Sequence, residues 1–183
     1  MAPFTTIFAF FLVFTAVFAT PVKRTVAQVE ADIATISSQV TSLNNNIQSF
    51  PNSGGSLVNA LAIHNAAVAL ESSITKGTTD VQNTGAFSEA DGQTIIQSVQ
   101  AIQPTIISAL NGIAAKKPAF DALPLGGVSA LVKQDLATLG SDTMAFENAL
   151  TASAPADLKS AAQSISTAIN AAIANAQAAY ANA

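Results

Sequence analysis

The 183-residue chain contains no cysteine. That absence excludes disulfide staples, thiol catalysis, thiolate zinc sites and cysteine-ligated clusters. One histidine, His64, is present, so a multi-histidine metal site is excluded too. There is no tryptophan and a single tyrosine, which leaves few platforms for stacking bases or sugars. Charged residues make up only 10% of the chain, and seven Lys and Arg face eleven acids. A net charge of -4 is the wrong balance for a nucleic-acid binder, which needs a clustered basic face. What is abundant is apolar surface, at 50% of residues. The length suits one domain.

Much of the aromatic content lies in the first twenty residues, MAPFTTIFAFFLVFTAVFAT. The apolar run Ile7–Phe18 is too short to span a bilayer as a helix but suits the central region of a signal peptide. Val17 and Ala19 supply the small residues of a cleavage site after Ala19. The competing reading is an N-terminal membrane anchor. Lys23-Arg24 follows and reads as a dibasic processing site. The expected organisation is a signal peptide over 1–19, a short propeptide over 20–24, and a single domain over 25–183. No second apolar run approaches the length of a membrane span, so no transmembrane segment is expected in the mature chain. The C-terminal sequence AIANAQAAYANA is not the hydrophobic tail of a lipid-anchor signal. No Asn-x-Ser/Thr sequon occurs.

From Val26 onward the pattern is helical. Val26, Val29, Ile33, Ile36, Val40, Leu43, Ile47 and Phe50 recur at steps of three and four, the signature of one apolar helical face. Pro51 and Gly54-Gly55 stop this helix. A second helix is expected from Ser56 to Lys76, with Gly77 as its cap and a polar loop over 78–87. Ser88 caps a third helix, with Glu89 and Asp91 at its positive end. Pro104 should kink or break it, and Lys116-Lys117-Pro118 should end it. Gly126-Gly127 reads as a connector. A fourth helix is expected from Val128 to about Ala152. Pro155 marks the first turn of the last helix. No alternating strand pattern competes. The expected fold class is all-α, a bundle of four to five amphipathic helices.

Alanine dominates the core alphabet. Small side chains either let helices approach closely or leave space between them. If Ile and Leu hold the helices apart, an apolar cavity results, a frequent ligand site in bundles. The inward positions are candidates for its lining: Ile33, Ile36 and Val40 on the first helix, Leu61, His64 and Val68 on the second, and Val99 and Ile102 on the third. Leu139 and Phe146 follow on the fourth, and Ile165 and Ile169 on the fifth. Each is equally suited to an ordinary core.

Catalytic chemistry has little to build on. His64 is the sole imidazole, and no Gly-x-Ser-x-Gly sequence exists. The carboxylates Glu89/Asp91 and Asp135/Asp142 are expected on solvated faces, without the burial that tunes an acid-base pair. No catalytic residue, no metal site and no cofactor is assigned.

Laid out whole, the pattern resembles a known family. Val29-Glu30-x-Asp32-Ile33-x-x-Ile36 is followed by Leu61-Ala62-Ile63-His64, Leu70 and Ile74. Lys116-Lys117-Pro118-Ala119-Phe120 leads to Leu123-Pro124-Leu125. Asp135-Leu136, Leu139, Asp142-Thr143, Phe146, Leu150, Pro155 and Leu158 precede an Ala- and Ile-rich helix ending near Tyr180. This is similar to the hydrophobic surface-binding protein A family of filamentous fungi, related to galactomannoprotein-type cell-wall antigens. The resemblance implies a secreted, non-catalytic, all-α domain that adsorbs to hydrophobic surfaces. It also implies an inter-helix cavity for a fatty acid, and for some members recruitment of secreted hydrolases. The alternative is a structural or antigenic wall protein with no small-molecule ligand. Free secretion, with at most loose wall association, is expected because Ser/Thr-rich stalks and lipid-anchor signals are lacking.

Overall fold

A computed structural model describes residues 25–183 as five helices. The expected leader and the Lys23-Arg24 site lie outside the described residues. Helix α1 spans Val26–Ser49, α2 Leu57–Thr84, α3 Glu89–Asp121, α4 Val128–Ser153 and α5 Lys159–Ala179. Among the described residues there is no strand.

The apolar stripe of α1 is buried from Val29 through Ile47, and Phe50 closes it against Phe120 with ring centroids 4.5 Å apart. Side-chain caps start α2 and α3: Asn59 N–H donates to Ser56 Oγ, and Asp91 N–H donates to Ser88 Oγ. Gly127 takes a φ of +92° at the start of α4, a left-handed turn that suits glycine.

Two expected helix ends, at Lys76-Gly77 and at Pro118, do not occur, and Pro104 does not break its helix. Helix α2 runs through Lys76-Gly77 to Thr84, so most of the expected loop is helix. Lys76 there does not cap a helix end. Its Nζ lies 2.6 Å from Asp32 on α1 and 2.8 Å from Asp80 one turn on, which ties the helix forward. Gly77 serves an approach instead: a Cβ there would sit 3.1 Å from the Phe146 ring. The helix ends at Gly85, with a φ of +86°. Helix α3 carries both Pro104 and Pro118 inside one uninterrupted element. Packing against α1 and α5 outweighs the lost backbone bonds. Helix α5 begins at Lys159, a turn later than Pro155 suggested.

The helices form a closed ring in the order α1, α2, α4, α5, α3, each packed on the next and α3 on α1. Helices α3 and α4 face each other across the ring and touch little. By length and composition α2 could cross a membrane, with most of that hydropathy carried by its Leu, Val and Ile residues. In the bundle it packs between α1 and α4.

Candidate functional site

Five helices around one axis leave room at the centre unless large side chains fill it. Here an apolar cavity of about 100 Å3 lies inside the ring, with wall residues from all five helices. Two smaller spaces adjoin it. One of about 50 Å3 shares Leu43, Ala109, Leu110, Leu136 and Leu139 with it. One of about 40 Å3 shares Val99, Glu147 and Leu150. The three make a broken apolar channel.

The core divides along the same space. Ile165, Ile169 and Ile173 of α5 form a small cluster with Ile96, Val99, Ile106 and Leu110 of α3. The main core cluster draws on α1 to α4 and on Ala176 and Tyr180 at the end of α5, and Val99, Ile106 and Leu110 pack against both clusters.

Eight of the twelve candidate positions line the central cavity. They are Ile33, Ile36 and Val40 of α1, Val99 and Ile102 of α3, Leu139 and Phe146 of α4, and Ile169 of α5. Ile165 lines the smaller space beside it. Leu61, His64 and Val68 do not line the central cavity. Leu61 is 44% exposed and Val68 45% exposed. The buried stripe of α2 is Ala60, Ile63, Ala67, Leu70 and Ile74. Two alanines in that stripe let neighbouring helices close on it, so the larger Leu61 and Val68 are left outside. On α2, fit rather than side-chain size decides which face is buried.

His64 lies on the outer side of the α2–α4 seam, beside a surface groove with Leu57, Leu125 and Leu131. Its Nδ1 is 2.9 Å from Asp135 Oδ2. Asp135 was expected in solvent but is buried, and burial pushes its carboxyl up despite the opposing hydrogen bond and charge of His64. Two members of a triad geometry are therefore present. Among the described residues, no hydroxyl hydrogen-bonds to His64. The pair ties α2 to α4 across their seam.

Leu70, Ile74, Ile106, Ala109, Gly140 and Leu150, none of them among the candidates, also stand in the cavity wall. The polar residues there, Thr143 and Glu147, were not candidates either. The available signal was register: Leu136, Gly140, Thr143, Glu147 and Leu150 follow at steps of three and four. Glu147 Oε2 accepts from Asn170 Nδ2 at 2.8 Å, across the α4–α5 seam. Burial pushes its carboxyl upward, against the hydrogen bonds from Asn170 and Ser166.

A closed ring of helices around an almost wholly apolar space defines a class, the helical bundle with an internal hydrophobic cavity. Comparison with known proteins narrows it. Residues 26–152 match the model of the family described as hydrophobic surface binding protein A, and the chain belongs to that family. It is 33% identical over 111 residues to cell wall mannoprotein 1 of Aspergillus flavus. The match takes 61% of this chain but only 40% of that longer protein. Among solved structures, AFMP4P in complex with palmitic acid superposes with a TM-score of 0.78 at 33% identity, over 85% of this chain and 99% of that one. Ligand binding domain 1 of the Penicillium marneffei MP1 protein, complexed with arachidonic acids, gives 0.76 at 18% identity. That match covers 85% of this chain and 98% of that one and speaks for the fold alone.

Proposed function

We propose that this protein is a secreted, non-catalytic binder of fatty-acid-type lipids and hydrophobic surfaces, with the alkyl chain held in the space at the centre of the ring. The observation that carries this reading is the apolar cavity walled by all five helices. Support comes from the palmitic acid in the related AFMP4P complex. The driving force is burial of methylenes, at about 0.8 kcal/mol each.

The spaces of about 100, 50 and 40 Å3 are small for such a chain. A cavity of roughly 150 Å3 lined by Leu, Ile and Phe holds benzene. A long alkyl chain therefore requires the three spaces to merge, and the ring must widen. The thin α3–α4 contact and the small α5 cluster favour movement of α5 away from α4.

Organic extraction of the purified protein, followed by mass spectrometry, tests the reading. The expected result is an aliphatic ligand in near-stoichiometric amount. An empty extract, together with no uptake of added alkyl chains, would overturn it and favour the wall protein without a ligand.

Surface adsorption is the second mode, favoured by the outer face of α2. Val58 is 75% exposed, and Leu61 and Val68 share its side of the helix at helical spacing. No Asp, Glu, Lys or Arg precedes Glu71 on α2. On this reading a secreted hydrolase is the partner that the adsorbed molecule would bring to the surface, and co-sedimentation with coated beads would detect it. Secretion itself predicts that the protein recovered from culture medium begins at Thr25.

A further inference from the structure

Glu147 is the one ionisable side chain in the wall of the central cavity and also in the wall of the 40 Å3 space beside it. It stands where the two meet, together with Val99 and Leu150. Its two oxygens differ. Oε2 accepts from Asn170 Nδ2 at 2.8 Å. Oε1 is buried and has no hydrogen-bond partner. A buried carboxylate oxygen without a donor is costly, and a group that supplies one is bound the more tightly. The hydroxyls in the two walls, Thr143, Thr151 and Ser166, leave Oε1 without a hydrogen bond. The facing groups on α5 are Asn170 and Ser166, both neutral. Neither α1, α2 nor α3 contributes a charged residue to either wall. These two spaces thus have a single acidic acceptor and no cation, while the third, of about 50 Å3, is bordered by Asp135, which is paired with His64.

We infer that Glu147 selects the head group of the bound lipid: the free Oε1 accepts from an O–H donor at the end of an alkyl chain, and an ionised carboxylate head is disfavoured. This rests on the reading of the cavity as an alkyl-chain site and adds the chemistry of its polar end. Two sources share the chemistry, a long-chain alcohol and a fatty acid in its protonated form. Two carboxylates side by side in an apolar cavity repel and are poorly solvated, whereas an acid and a carboxylate share one proton. The upward shift of the Glu147 carboxyl by burial acts in the same direction. Once Glu147 is protonated it can itself donate, so fatty-acid binding strengthens as pH falls. Alcohol binding does not need that change.

Displacement of the neutral probe N-phenyl-1-naphthylamine from the delipidated protein provides the test. Competitors are 1-dodecanol, dodecanoate and dodecyl methyl ether, which has no donor. Near pH 8, above the carboxyl range, dodecanol should displace the probe at about tenfold lower concentration than dodecanoate, and the ether should be weaker than the alcohol. Near pH 5 the gap between alcohol and acid should close. Glu147→Gln should shrink the gap near pH 8 to about twofold, since the amide is neutral. Equal displacement by alcohol and acid in the wild type near pH 8 would overturn the inference. So would an unchanged gap in the Gln variant with native helicity. The wild-type pH series stands even if that variant misfolds. If the two bind equally, only the head-group selection fails. If no alkyl competitor displaces the probe, the cavity reading fails with it.

Discussion

The Tyr180 hydroxyl donates to the carbonyl of Ile113 at 2.8 Å, pinning the end of α5 onto α3. The ring is fully buried, with Lys117 Nζ 5.9 Å from its centroid. Burial pushes the phenol well above its ordinary range, with Asp121 adding to the shift. The folded state therefore holds the proton more tightly than the unfolded chain. That stability is complete below the unfolded value near pH 10 and is lost as pH rises further. Because the chain has one tyrosine and no tryptophan, phenolate absorbance reports this residue alone. We expect the absorbance to rise only together with loss of helical circular dichroism. A phenolate signal in a fully helical protein would contradict the assignment. Tyr180→Phe should cost about 1 kcal/mol in a denaturant titration, the value of one hydrogen bond.

A second anchor is the clamp of Lys76 between Asp32 and Asp80, at 2.6 and 2.8 Å. Hydrogen bonds to Asp32 and then Asp80 raise the Lys76 amine above its ordinary value. Both carboxylates are buried, while the lysine side chain is 54% exposed. Lys76→Met would remove the cation from between two buried acids. Solvent screening at the exposed end moderates the loss, so a destabilisation of about 1–3 kcal/mol is expected. It should appear as a lower urea midpoint with an unchanged slope. Lys76→Arg should recover part of it.

The fold was legible because α1 writes its buried face in large residues at regular steps, Val29 to Phe50. The ring order was not legible. It depends on which faces fit, and alanine faces carry little amplitude in a hydrophobic pattern. On α2 this led to Leu61 and Val68 in place of Leu70 and Ile74. Pro118, expected to end its helix, misled for a related reason. Pro104 and Pro118 carry a local penalty, but the tertiary contacts of α3 decide whether the helix continues. Glu147 was readable in principle, as an acid in a core register position, but an acid on a helix is more often solvated. The partners Asp32 and Asp135 share that ambiguity: only the packing of α1 on α2 and of α2 on α4 shows that they are covered.

Filling the cavity should separate binding from folding. Ala109 of α3 borders both the central space and the 50 Å3 space and is buried. Ala109→Leu would place three additional carbons into empty apolar volume. Cavity filling commonly adds about 0.5–2 kcal/mol where the void accepts the side chain. We therefore expect an unchanged or higher melting temperature for the ligand-free variant. Affinity for alkyl ligands should fall by about tenfold or more, because the channel is interrupted where two of its spaces meet. Unaltered lipid affinity in a well-folded Ala109→Leu protein would place the ligand elsewhere.

Adsorption to hydrophobic solids should depend on the other side of α2. Val58, Leu61 and Val68 lie on its exposed face, and Leu125, at 56% exposure, borders the groove at its first turns. Contact with an apolar solid gains about 25 cal/mol for each Å2 covered, without any need to open the bundle. A carboxylate in the middle of this stripe must be dehydrated on contact, at a cost that exceeds the gain from its neighbours. Leu61→Asp combined with Val68→Asp should therefore lower retention on polystyrene or wax by about tenfold. Both side chains are about half covered, so the pair should cost about 1–2 kcal/mol, and cavity binding should persist in the folded protein. Retention equal to that of the wild type, with cavity binding intact, would remove α2 as the contact face. Loss of both together would mean that adsorption proceeds through an opened bundle, with the inner stripes of the helices laid on the surface.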